Sequence, residues 1–255
     1  MSNNPLIIAI AGKGGVGKTV ITTLIAKALI QKFNYKLLLI DADPTHPHLS
    51  KMVKITPQKT LEQVRADAIE RTLNKEKSIK DLAENIDFEV YNAINECKDF
   101  SLFSIGQPEG PGCFCPSNTL LKRVIESISK DFEIVLIDCE AGLEQINRMV
   151  IETIDILLIV VDMSLRSIET ALSIKKSADK FTNYQKLGII LNKARGDYSK
   201  IIDKLNSLQL PLFGQISDDH LIREFDLEGK ALIDLPLDTS SYKEIENVIK
   251  FILRE

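Results

Sequence analysis

The stretch that most constrains this chain is Gly12-Lys13-Gly14-Gly15-Val16-Gly17-Lys18-Thr19. It follows the apolar run LIIAIA (6–11) and leads into the helical pattern TVITTLIAKALIQKF. The spacing G-x-x-x-x-G-K-T between a strand and a helix is the context in which such a pattern has a mechanism. Glycines let backbone N–H groups converge on phosphate oxygens, and the helix N-terminus adds partial positive charge. Lys18 is expected to reach the β- and γ-phosphates, and the Thr19 hydroxyl to ligate Mg²⁺. Gly12, Gly14, Gly15, Val16, Gly17 and Val20 complete the expected nucleotide cradle.

Short apolar runs alternate with helical patterns along the chain. The predicted strands are LIIAIA (6–11), KLLLID (36–41), LFSIG (102–106), EIVLID (133–138), ILLIVVD (156–162), KLGIILN (186–192) and PLFGQI (211–216). Apolar runs without polar interruption suit a parallel sheet covered on both faces. The alternation predicts an α/β fold: a single doubly wound, mostly parallel sheet with helices on both faces, a P-loop NTPase over residues 1–255. Residues 57–98 are polar and helix-prone, with a possible strand only at FEVYNA, and are expected to form a helical insertion.

A net charge of −4 argues against broad electrostatic binding to nucleic acid or anionic membrane. No apolar run approaches the roughly 18 residues of a membrane span, and the start lacks the features of a signal peptide. A cytoplasmic location is expected, where thiols stay reduced.

That bears on GPGCFCPSN (110–118), which sets Cys113 and Cys115 one residue apart in a chain of four cysteines. In an extended segment, residues two apart point the same way. Their Cα atoms then lie about 6.5–7 Å apart, which disfavours a disulfide. Two thiolates are half of a four-sulfur site, and a two-fold dimer supplies the other half. Soft ligands of this kind hold Zn²⁺, Ni²⁺ or an iron–sulfur cluster. A following helix start at Ser117 or Asn118 would lower the thiol pKa values. Two small residues in an ordinary turn is the competing reading. Cys97 and Cys139 read as structural.

GKGGVGKT, with its early Lys13, resembles the deviant Walker A of the MinD/ParA/nitrogenase-iron-protein class of dimeric ATPases. The resemblance implies that Lys13 crosses the dimer interface to the partner's nucleotide. It places Asp43, in LLLIDADP, as the switch I aspartate that helps activate water. It places Asp138, in IVLIDCEAG, as the Walker B aspartate of the magnesium shell, and Gly142 as the γ-phosphate sensor. Asp41, at a strand end, suits either a site residue or a structural cap. Asn192 and Lys193, in LNKAR, fall on the base side, where the family uses an asparagine against adenine. ATP/ADP rather than GTP is implied because Ala194 and Arg195 follow, not the x-D of N-K-x-D; Arg195 reads as a solvated loop charge. Ser217 replaces a usual proline in the base-side loop.

Within that class, the C-x-C segment and D-C-E-A-G-L-E-Q resemble the CooC-type ATPases. The resemblance implies Ni²⁺ (or Zn²⁺) shared by Cys113 and Cys115 across a homodimer. The implied client is a nickel enzyme such as carbon monoxide dehydrogenase or acetyl-CoA synthase. Gln145 stands where relatives often carry histidine; His46 and His48 read as solvated switch I residues. An iron–sulfur carrier is one alternative. A MinD/ParA-like positioning ATPase is another, resting on the amphipathic C-terminal SYKEIENVIKFILRE, whose balanced charges favour a helix docked on the core over one on a membrane.

Overall fold

The uninterrupted apolar runs lie side by side in one sheet. In a computed structural model, which describes residues 4–43, 48–73, 89–107, 126, 128–139 and 153–253, eight strands follow the order β3-β4-β2-β5-β1-β6-β7-β8. These are β1 (Leu6–Gly12), β2 (Leu37–Ala42), β3 (Asn95–Glu96), β4 (Phe100–Ser104), β5 (Ile134–Cys139), β6 (Thr153–Val161), β7 (Asn183–Ala194) and β8 (Leu212–Ser217). Every pairing is parallel except β3 with β4. The described helices are α1 (Lys18–Ala28), which runs on as a π-helical turn to Phe33, α2 (Leu49–Met52), α3 (Leu61–Leu73), α4 (Leu165–Phe181), α5 (Ser199–Ser207), α6 (His220–Leu227) and α7 (Ser240–Ile252). The fold is the doubly wound, mostly parallel sheet that the alternation predicts.

Side chains alternate between the two faces of each strand and so build two cores. On one face Ile8, Ile10, Leu136 and Leu158 meet Ile21, Leu24 and Ile25 of α1, with Ile245, Val248, Ile249 and Ile252 of α7. On the other, Ala9, Ala11, Ile137 and Ile159 meet Ile168, Ala171 and Ile174 of α4 and Leu205 of α5. The apolar stripe of the C-terminal helix is therefore docked, each of its four side chains being at most 4% exposed. Burial of that kind contributes about 1.5–3 kcal/mol per side chain. Among the described residues, no helix is long and apolar enough to cross a membrane.

The described residues of the 57–98 stretch depart from expectation in one place. Within FEVYNA, residues 89–92 are helical, and the short strand lies at Asn95–Glu96, antiparallel to β4. Asn95 makes its bonds locally, its amide donating to the Ala93 and Leu102 carbonyls and its Oδ1 accepting from Gln58 N–H. α3 opens on a reciprocal cap. The Thr60 Oγ1 accepts from Gln63 N–H at 3.3 Å and the Gln63 Oε1 from Thr60 N–H at 3.0 Å. A buried Arg65–Glu62 pair follows at 2.7 Å.

Candidate nucleotide-binding site

In a doubly wound sheet, ligands bind beyond the carboxyl ends of the strands, and the expected residues gather there. Gly12 ends β1 so close to β6 that a Cβ would lie 2.4 Å from the Val160 carbonyl oxygen. The loop then passes to Gly17, whose φ of 94° is left-handed, before α1 begins at Lys18. Lys18 Nζ and Val16 N–H both approach the Lys13 carbonyl, each at 3.4 Å. Two donors thus meet at one carbonyl of the loop through long bonds that phosphate oxygens could replace.

Two buried carboxylates form the floor. Asp41 and Asp138 are register partners on β2 and β5. Burial lifts the Asp138 carboxyl to about 6, against hydrogen bonds from Thr19 and Thr22 and the charge of Lys18. Burial, reinforced by the neighbouring Asp138 charge, lifts Asp41 to about 7. Thr22 Oγ1 donates to Asp138 at 3.0 Å. Asp41 Oδ1 accepts from Asp43 N–H at 3.3 Å, while its Oδ2 is buried without a hydrogen-bond partner. A buried orphan carboxylate oxygen beside a second carboxylate and a threonine hydroxyl is a donor set that suits a magnesium ion and its waters.

Asn192 lies within β7, 4% exposed, because the strand continues past the expected end and pairs Ala194 with Ser217 of β8. Its Nδ2 donates to the Val16 carbonyl at 2.8 Å, and Lys193 Nζ donates to the Gly15 carbonyl at 3.0 Å. Both residues thus grip the phosphate loop, a relation that spacing alone does not reveal. Arg195 is a solvated charge, its side chain 64% exposed, and its guanidinium meets Asp218 at 2.5 Å. Ser217, in the place of proline, donates from both its N–H and its hydroxyl to Glu244, each at 2.7 Å.

Sequence reasoning passed over two residues here. Thr22 supports Asp138 from the second turn of α1. Asp162, just after β6, is held below the usual carboxylate range: burial works against it, but Ser164 and Ser167 bond to it and the Lys13 ammonium is close. An aspartate closing an apolar run beside a phosphate-loop strand was the available signal. Cys139 is buried, and burial pushes its thiol well above the usual range; Cys97 is raised too, first by burial and then by Asp99. His48 is exposed. Cys113, Cys115, Gly142, Gln145 and His46 lie outside the described residues. Among the described residues, no cluster of three or more His, Cys, Asp or Glu side chains is arranged to hold a metal.

Comparison with known proteins accords with this geometry. Residues 7–233 match the CobQ/CobB/MinD/ParA nucleotide-binding domain. The chain belongs to that family. It is accordingly a P-loop ATPase of the MinD/ParA type. Over 98% of its length it is 34% identical to an ATP-binding protein of Methanocaldococcus jannaschii, covering 99% of that protein. It is 32% identical, over 89% of each chain, to the carbon monoxide dehydrogenase accessory protein CooC of Rhodospirillum rubrum. Among solved structures, the septum site-determining protein MinD of Pyrococcus horikoshii, complexed with Mg-ADP, superposes with a TM-score of 0.70 at 20% identity. That alignment covers 98% of this chain and 96% of the other.

Proposed function

We propose that this family member is an ATP-driven metallochaperone. Two copies would hold one metal ion, nickel by resemblance to CooC, between their Cys113 and Cys115 pairs. They would deliver it to an enzyme of the carbon monoxide dehydrogenase or acetyl-CoA synthase type. The observation that carries the reading is a backbone bond: Ile105 N–H donates to the Asp41 carbonyl at 2.9 Å. Asp41 is part of the carboxylate floor, and Ile105 lies eight residues before Cys113. A shift of Asp41 on nucleotide binding would thus be passed to Ile105, just past the end of β4.

ATP enters against the loop N–H groups and Lys18, with Lys13 reaching the partner's nucleotide. Asn192, whose amide nitrogen bonds Val16, would offer Oδ1 as the acceptor for the amino group of adenine. Mg²⁺, held by Thr19, Asp138 and Asp43 directly or through water, would neutralise developing phosphate charge. Asp43 orients the attacking water. To move the dimer nearly completely between two states, nucleotide must favour one by about 5.5 kcal/mol, which two sets of γ-phosphate contacts are of a size to supply.

The test is metal affinity of the reduced protein, native and Cys113→Ser/Cys115→Ser. Loss of one metal per dimer in the variant supports the reading; unchanged stoichiometry and affinity would end it. Brown colour after anaerobic reconstitution with iron and sulfide would favour a cluster carrier instead. A MinD/ParA-like positioning ATPase is the second reading, favoured by the structural likeness to MinD. ATP-dependent co-sedimentation with liposomes or DNA would select it, although α7 has its apolar face committed to the core.

A further inference from the structure

The end of β7 grips the outer side of the phosphate loop at two successive carbonyls, Gly15 by Lys193 and Val16 by Asn192. In a regular strand, adjacent side chains point to opposite faces, so two neighbours could not reach one loop. Here the strand is irregular. The β7–β8 ladder slips between Leu191 and Ala194, and Lys193 has a left-handed φ of 55°. A non-glycine residue in that region costs about 1 kcal/mol or more. The local strain is what allows Asn192 and Lys193 to face the loop together.

The grip has a directional consequence. In a trans peptide the C=O and N–H lie in one plane and point in opposite directions. Holding the Gly15 and Val16 carbonyls from the β7 side turns the N–H groups of Val16 and Gly17 away from β7. Val16 N–H donates to the Lys13 carbonyl at 3.4 Å, a long bond that a phosphate oxygen can replace. Asn192 also leaves no room at Gly17, where a Cβ would stand 2.4 Å from its Nδ2.

We propose that Lys193, acting with Asn192, is a positioning residue for phosphoryl transfer, fixing the peptides whose N–H groups hold the phosphates in their reactive alignment. The proposal rests on the ATPase assignment and is independent of the cysteine pair. Lys193 is exposed, so its bond to Gly15 contributes about 1 kcal/mol or less to folding. Alignment is another matter, since a misplacement of about 1 Å can cost about 100-fold in rate.

The experiment is steady-state ATP hydrolysis by the full-length protein with Mg²⁺, native, Lys193→Met and Lys193→Arg, with thermal unfolding of each without nucleotide. Methionine keeps the length and loses the donor; arginine keeps a donor. The expected result is a kcat lowered about 10- to 100-fold in Lys193→Met, with KM changed far less. The unfolding midpoint should fall by no more than about 2–4 °C, and Lys193→Arg should recover kcat to within about threefold. The proposal is overturned if Lys193→Met retains kcat within about twofold, or raises KM alone, as a plain binding contact would. It is overturned equally if arginine fails to rescue, since the lysine would then be touching the nucleotide itself.

Discussion

Asp41 and Asp138 sit opposite each other at the carboxyl ends of β2 and β5, both 1% exposed and both with raised carboxyl pKa values. The raised values tie nucleotide-free stability to pH. A carboxyl that binds its proton more tightly when folded stabilises fully below its unfolded value of 3.8, and that stability is lost as pH rises through about 6 and about 7. The thermal midpoint without nucleotide or Mg²⁺ should therefore fall between pH 5 and pH 8. Asp41→Asn cannot ionise, and its amide nitrogen can take the place of the unpartnered Oδ2. The variant should have a shallower pH slope and a higher midpoint at pH 8; an unchanged slope would show that the pair does not govern stability.

Thr22 donates to the ionised form of Asp138. Thr22→Val keeps the shape and removes the donor, with an expected cost of about 1–3 kcal/mol at pH 8. The cost should shrink at pH 5, where Asp138 is mostly protonated. Chemical denaturation at the two pH values measures this, and equal costs would mean that the hydroxyl acts through packing.

Gly17→Ala meets two obstacles, a left-handed φ and the Asn192 amide. Backbone strain and crowding together predict a loss of about 2–4 kcal/mol of stability. ADP binding, followed by titration calorimetry, should weaken by at least about tenfold, since the loop can relax only by releasing Asn192.

Ser217→Pro, which tests the residue at the end of β8, should destabilise. The substitution removes both donors to Glu244 and leaves that carboxylate without them, a loss of about 2–4 kcal/mol. Pairing it with Glu244→Leu should recover part of the loss, which a double-mutant cycle would read directly.

The strands were legible because β1, β2, β5 and the inner parts of β6 and β7 are buried on both faces and leave unbroken apolar runs. Their ends were less so. β6 begins at Thr153 and β7 at Asn183, where polar residues such as Asn183 and Lys186 join the ladder. β3 has two residues and no periodicity to detect. At the site, Lys18 and Thr19 are read from the G-x-x-x-x-G-K-T spacing, whereas Lys13, Asp43 and Asp138 are read from the family resemblance. The grip of Asn192 and Lys193 depends on two backbone carbonyls and one left-handed residue, and carbonyls carry no letter in a sequence.

The central claim, a metal held between two copies under nucleotide control, is tested most directly by measuring solution mass and bound metal together. Reduced native protein would be run without nucleotide, with ADP and with ATP and Mg²⁺. The account expects one Ni²⁺ or Zn²⁺ per two chains in at least one nucleotide state, on a species of twice the chain mass. A metal-free protein in every state would contradict it and leave Cys113-Phe114-Cys115 as part of an ordinary turn in a P-loop ATPase.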